Sequence, residues 1–266
     1  MRTPNLLHTF PTDADLKRAA KQFNNLFVHL QQGSETQIKG SLRKFHDYST
    51  RSSVVKGQGF HCDGTVYRTE TILASDTPVI GAGARKNWDI GLQSRNLKIS
   101  KPHLPIHIEH SIPINVLAKY LRTEACQKFA HSKRRLLQFV FFNSVLCCVS
   151  KNVDGIDEQK ICDQNSRTAH DDFAKGTELD RILPFRRYIG VSPQIRVYRL
   201  DFDNPNTWVP IELESWRLND HRAYLEGAFA ETFSTLLSMV LGDELIQGPQ
   251  KVNQLHRGGN HHNGMS

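Results

Sequence analysis

Apolar residues recur at helical spacing in the N-terminal part of the chain. Thr12 is a typical N-cap residue, and Gly33 is a typical helix stop. The apolar positions between them are Leu16, Ala20, Phe23, Phe27 and Leu30. This period predicts an amphipathic helix that packs on another element. A second helix is predicted over residues 36–48, with Lys39, Arg43 and Lys44 on its polar side.

Glycines punctuate the next stretch, residues 51–83, and separate short β-like pieces. Loops and short strands are therefore expected there. Residues 84–102 are mostly polar and contain Lys98 and Lys101. Taken together, residues 1–102 are predicted to form an N-terminal helical and loop-rich region.

A β-branched, apolar strand around residues 105–109 ends in an adjacent acid and imidazole, Glu109 and His110. Ser-Ile-Pro at 111–113 then predicts a turn, followed by a helix over 116–130 and a second helix capped by Ser132. Residues 145–149 predict a short buried strand. Ser150 is expected to cap the helix after it.

The C-terminal part begins with a predicted strand over 194–202 and a turn after it. Residues 218–241 predict one long helix, whose apolar face suits either the core or a second copy of the chain in a homodimer. Residues 203–248 are therefore predicted to be a C-terminal helical region. Residues 249–266 are polar and rich in Gly, Asn and His, which predicts a disordered tail.

Composition narrows the class of protein. The chain has 266 residues and a net charge of +7, with 34 Lys and Arg against 27 Asp and Glu. This basic excess favours a polyanionic partner such as DNA. No apolar run reaches the ~18 residues that cross a bilayer, and the N-terminus lacks the apolar core of a signal peptide. We therefore expect a cytoplasmic protein without a membrane partner.

The five cysteines include an adjacent pair and no CxxC motif, which argues against a disulfide framework and a zinc knuckle. Buried, reduced thiols are expected.

Glu109 and His110 are the main candidates for chemistry. A carboxylate can hold a divalent metal, and an imidazole can accept a proton from water near pH 7. We expect both side chains at the mouth of a cleft, facing Asn152 or Asp154. Basic groups in three places are candidate phosphate contacts. They are Lys98 and Lys101, then Lys133, Arg134 and Arg135, then Arg186 and Arg187.

Three stretches carry a resemblance to a known family. They are Glu109-His110-Ser111-Ile112-Pro113, Val149-Ser150-Lys151-Asn152-Val153-Asp154 and Pro184-Phe185-Arg186-Arg187-Tyr188. In this order they resemble the ββα-metal (His-Me finger) core of HNH-type endonucleases, some of which are restriction or phage-defence enzymes. The likeness covers roughly residues 103–195. It implies an α+β fold in which residues 103–202 form a ββα-metal nuclease core, embedded in a mostly helical chain.

The resemblance also implies roles for individual residues. Glu109 and Asp154 would bind Mg²⁺ or Mn²⁺, His110 would activate water, and Asn152 would be a further candidate catalytic residue. The chain departs from the family in its long helical insertion between the strands, in an Asp where the helix ligand is often His, and in lacking the zinc-binding cysteine pairs. The expected function is metal-dependent hydrolysis of DNA. A non-catalytic nucleic-acid-binding protein and a hydrolase of another phosphorylated substrate are the alternatives.

Overall fold

Two capped helices open the structure. The computed structural model describes residues 8–51, 64–75, 79–81, 104–151, 156–164, 181–204 and 207–246. Helix α1 spans Asp13–Gln32 and α2 spans Glu35–Ser49. Thr12 caps α1 in a reciprocal pair with Asp15, and Ser34 caps α2 in the same way with Gln37. Both predicted helices, and the end of α1 at Gly33, are confirmed.

Six strands of the described part form one mixed sheet. They are β1 (Tyr67–Thr69), β2 (Val79–Gly81), β3 (Leu104–His110), β4 (Leu146–Ser150), β5 (Val197–Asp201) and β6 (Thr207–Pro210). Their order across the sheet is β2-β3-β4-β1-β5-β6. The pairs β2–β3 and β1–β4 are parallel, and the other neighbours are antiparallel. The chain is therefore α+β, as predicted.

Two neighbouring strands of the sheet come from the stretches that the sequence singled out. β3 and β4 pair antiparallel, with Glu109 opposite Cys147 and His110 opposite Leu146. The connection between them is helical, as expected. It contains α4 (Ile114–Leu121), α5 (Glu124–Ala130) and α6 (Lys133–Phe142), and a short α3 (Glu70–Ala74) follows β1. Ser132 caps α6, and its hydroxyl accepts a hydrogen bond from the Arg135 N–H.

The predicted helix cap at Ser150 is wrong. Ser150 is the last residue of β4 and pairs with Ile106. Its backbone N–H donates to Glu158 Oε2 at 2.7 Å, in the next described helix, α7 (Glu158–Gln164). Ladder pairing with β3 therefore extends the strand by one residue beyond the apolar run.

The predicted single helix over 218–241 is also wrong. The chain forms α8 (Leu218–Ala228) and α9 (Ala230–Ile246), with a bend at Phe229. The Phe229 ring lies 5.2 Å from that of Phe10 and 5.7 Å from that of Phe202. The Phe229 ring thus packs into an aromatic cluster at the point where the helix breaks. The spacing of apolar residues predicted one continuous helix, and these tertiary contacts outweigh that local preference.

One large apolar cluster joins the helices to the sheet. It includes Leu16 and Phe23 of α1, Val149 of β4 and Val240 of α9. Cys126, Cys147, Cys148 and Cys162 are buried free thiols, as predicted for the four cysteines that the structure describes. Within the described residues, no helix is both long and apolar enough to cross a membrane. The tail at 249–266 lies outside the described residues.

Candidate functional site

A cleft of about 680 Å³ opens beside the C-terminal half of β3. β2 pairs only with residues 104–106 of β3. Within the described part of the chain, no strand pairs with residues 107–110 on that side, so this edge of β3 borders the cleft. Side chains from α2, from the start of α4 and from α7 complete the walls, together with Arg187. We call this space the β3 cleft. Glu109 and His110 both line it, as the sequence predicted.

Glu109 is held by the side chains of Arg187 and His107. Its Oε1 lies 2.5 Å from Nη1 of Arg187, and its Oε2 lies 3.3 Å from Nε2 of His107. His107 is two residues earlier on β3, so the strand places both side chains on the same face. Glu109 and Arg187 are 7% and 2% exposed. Because both partners are buried, each depends on the other for charge compensation.

The Arg187 guanidinium connects three parts of the fold. Besides Glu109, it donates to the His110 carbonyl at 3.2 Å, to the Cys162 carbonyl at 3.3 Å and to Asp163 Oδ1 at 2.9 Å. Arg187 lies in a short 3-10 helix, Arg186–Tyr188, and the other contacts lie at the end of β3 and in α7. Arg187 therefore fixes the position of the Glu109 carboxylate relative to α7.

Opposing effects set the charge of Glu109. Burial alone would raise its pKa, but the hydrogen bond from His107 and the positive charge of Arg187 outweigh this effect. The net result is a pKa below the ordinary value, so Glu109 is a carboxylate at neutral pH.

His110 is neutral in this setting. Burial lowers its pKa well below 6.5, and nearby His46, Arg43 and Arg187 lower it further. Its ring packs against that of His46, with centroids 5.5 Å apart. Its Nε2 atom is buried and has no hydrogen-bond partner within the described structure. A neutral imidazole can accept a proton, but the charged form that results is disfavoured here.

Helix α2 contributes a row of polar side chains to the lining of the β3 cleft. Lys39, Arg43 and Asp47 are spaced by four residues, so they follow one face of the helix, and all three line the cleft. Lys39 also forms an ion pair with Glu35, one turn earlier. Burial raises the pKa of Asp47 to about 7, although the charge of Arg43 acts in the other direction.

Of the other predicted site residues, Arg187 lines the cleft, whereas the three basic residues of α6 do not. Lys133, Arg134 and Arg135 form the first turn of α6, and none of the described residues that line the cleft comes from this turn. The Lys133 ammonium lies 5.6 Å from the centroid of the Phe27 ring. Arg186 is exposed, in contrast to its buried neighbour Arg187. Four predicted residues lie outside the described part of the chain, namely Lys98, Lys101, Asn152 and Asp154.

The described residues do not by themselves fit the metal site that the resemblance implies. One oxygen of Glu109 contacts Arg187 and the other contacts His107, and both contacts compete with a metal for the same lone pairs. Among the residues that the structure describes, no three His, Cys, Asp or Glu side chains group together as metal ligands do.

Asp47 and His107 were missed as site residues, and the role of Lys39 and Arg43 in the cleft was not foreseen. A signal was present, because Lys39, Arg43 and Asp47 repeat every four residues on a predicted helix. That pattern alone is typical of a solvated helix face, and only the packing of α2 beside β3 turns it toward a cleft.

Comparison with known proteins gives no relative for this chain. No protein-family model matches it, and no curated protein or solved structure shows significant similarity to it.

Proposed function

We propose that the chain is an endonuclease that hydrolyses DNA phosphodiester bonds in the β3 cleft. The observation that carries the proposal is the lining of this cleft. Glu109 and His110, at the end of β3, share it with the cationic side chains of Lys39 and Arg43. Cationic groups beside proton-accepting groups are what a phosphodiester needs, because the substrate is an anion and water must be activated beside it.

The order of elements supports the same proposal. An antiparallel pair, β3 and β4, is followed along the chain by α7. A ββα nuclease core has the same succession of elements, and we propose that β3, β4 and α7 form such a core. The Mg²⁺ or Mn²⁺ requirement remains a prediction from the resemblance. Its candidate ligands would be Glu109 together with Asn152 or Asp154.

Lys39 and Arg43 would contact the DNA backbone. Their Cα atoms lie about 6 Å apart along α2, since a helix rises ~1.5 Å per residue. Arg187 is assigned a different task. Its guanidinium is buried against Glu109 and Asp163, so it positions the carboxylate and does not clamp a phosphate.

A non-catalytic DNA-binding protein is the second candidate, and one observation favours it. The Glu109 carboxylate already has Arg187 as its counter-charge and His107 as a hydrogen-bond partner, an arrangement that also serves purely to stabilise the fold. This candidate keeps the cationic groups of the cleft and loses the chemistry. Salt-sensitive DNA binding by a wild-type protein that never nicks DNA would favour it.

Matched charge deletions test the proposed location. Lys39→Gln/Arg43→Gln removes two cations from the cleft, and Arg134→Gln/Arg135→Gln removes two exposed cations from α6. The cleft variant should bind DNA less tightly and nick plasmid more slowly. Its plot of log K against log salt should become shallower by about 1.8, at about 0.9 per phosphate contact. The α6 variant should keep most of the wild-type slope. Equal effects of the two variants on binding and nicking would contradict the cleft as the DNA site.

A further inference from the structure

We propose that Asp47 is the general base of the β3 cleft, the group that takes a proton from the attacking water. The inference rests on the proposed function and deepens it. The sequence pointed to His110 for this role, whereas the cleft offers a carboxyl group on α2 that is better placed to act.

Position is the first reason. Asp47 continues the row of Lys39 and Arg43 along α2, and all three side chains line the cleft. Its Cα lies about 6 Å beyond that of Arg43 along the helix, at ~1.5 Å per residue. A phosphate held by the two cationic side chains would therefore lie near a carboxyl group on the same helix face.

The carboxyl oxygens of Asp47 are also unengaged. Within the described residues, no hydrogen bond or ion pair holds this half-buried side chain. Two other carboxylates of this protein are held in place by several partners. Glu109 is bound by Arg187 and His107, and Glu158 accepts hydrogen bonds from Thr69, Thr71 and Ser150. The Asp47 carboxyl group lines the cleft without being held by a neighbour in the described structure, so a water molecule in the cleft can reach it.

The surroundings suit proton transfer at neutral pH. Burial raises the pKa of Asp47 to about 7, close to the pH at which a base both accepts and releases protons efficiently. The charged or titratable groups that line the cleft with it are Lys39, Arg43, His107, Glu109, His110, Asp163 and Arg187. The cations favour the carboxylate form, and the two other carboxylates oppose it. His110 is a weaker candidate, because burial and neighbouring cations disfavour its protonated form.

Hydrolysis at Asp47 needs only water and the phosphodiester. The water oxygen forms a bond to phosphorus while its proton passes to the Asp47 carboxylate. The bond from phosphorus to the leaving oxygen breaks, and its electron pair stays on that oxygen, which takes a proton from solvent. Asp47 then returns its proton to solvent, so no oxidant, reductant or further reactant is needed.

The test compares Asp47→Asn with Asp203→Asn, which makes the same carboxyl-to-amide change on an exposed turn. Single-turnover nicking at saturating DNA should slow by about 10²–10⁴-fold in Asp47→Asn, the usual contribution of a general base. DNA affinity should hold or rise slightly, since a negative charge is removed. Asp203→Asn should nick at the wild-type rate.

The pH profile separates a catalytic role from a structural one. The wild-type rate should rise between about pH 6 and pH 8 and then level, following a base with a pKa near 7. Asp47→Asn should lose this rise, and Asp47→Glu, which restores a carboxylate, should recover both part of the rate and the rise. If Asp47→Asn does not fold, the profile of Asp47→Glu decides.

Two results would overturn the inference alone while leaving the nuclease in place. One is nicking by folded Asp47→Asn within threefold of wild type, and the other is a wild-type rate that falls as the pH rises. An inactive wild type would overturn both the inference and the proposed function.

Discussion

Replacing Arg187 with methionine should destabilise the fold far more than the same change at its neighbour. Arg187 is 2% exposed and donates to Glu109, Asp163 and the carbonyls of His110 and Cys162. Methionine fills much of the volume but leaves the buried Glu109 carboxylate with His107 as its remaining described partner. Breaking one side of a buried ion pair typically costs about 3–5 kcal/mol.

That cost converts into a measurable thermal shift. For chains of about 150–250 residues, 1 kcal/mol corresponds to roughly 2–4 °C, so Arg187→Met should lower Tm by roughly 6–20 °C. Arg186→Met is the matched control, because it removes the same charge from an exposed neighbour. Surface ion pairs contribute about 0–1 kcal/mol, so the control should shift Tm by no more than about 4 °C.

Thermal unfolding followed by circular dichroism at pH 7.5 measures both shifts. Glu109→Gln/Arg187→Met, which removes both charges, should recover part of the lost stability, because no uncompensated carboxylate is then buried. An Arg187→Met variant as stable as Arg186→Met would refute the reasoning. So would a double variant less stable than the two single changes added together.

Two further predictions concern buried groups away from the Glu109–Arg187 pair. Burial lowers the pKa values of His46 and His221 to about 3, so the unfolded chain binds protons below about pH 6.5 while the folded chain does not. Stability should be full above pH 6.5 and fall as the pH drops toward 3, by up to about 1.4 kcal/mol per pH unit for each histidine. The midpoint of urea unfolding, measured at pH 7.5 and pH 5.5, tests this loss of stability. His46→Gln should reduce the difference between the two midpoints, and the exposed control His131→Gln should leave it unchanged. A wild-type midpoint that is the same at both pH values would contradict the prediction. Glu158→Gln should cost about 1–3 kcal/mol in urea unfolding, because its oxygens accept hydrogen bonds at 2.7–2.8 Å from Thr69, Thr71 and the Ser150 N–H. Glu226→Gln, on an exposed side chain of α8, is its control, and equal costs would show that the buried contacts contribute nothing.

Local signals in the sequence predicted the elements well. The caps at Thr12 and Ser132 mark true helix starts, and the apolar run at 145–149 lies largely within β4. The α+β class follows from such signals, because caps and apolar runs act over a few residues. The bend at Phe229 did not follow, since it accompanies contacts with Phe10 and Phe202, which are distant in sequence.

The candidate site was predicted only in its local part. Glu109 and His110 were found because they are adjacent at a strand end, and that strand end borders the cleft. Asp47 lies 62 positions before Glu109, and no sequence pattern indicates that α2 packs there. Arg187 was predicted as a phosphate contact, as was Arg186, because a guanidinium group matches the geometry of a phosphate. Their different burial, which separates a positioning role from a surface one, depends on the tertiary structure.

The most direct measurement is the incubation of supercoiled plasmid with the purified wild-type chain in Mg²⁺, in Mn²⁺ and in EDTA. Conversion to nicked or linear DNA is expected in at least one metal, and intact plasmid is expected in EDTA if the reaction requires a metal. Nicking that persists in EDTA would reject the metal requirement and leave hydrolysis in the β3 cleft standing. Intact plasmid under all three conditions, at protein concentrations that saturate DNA binding, would contradict the central claim that this cleft hydrolyses DNA.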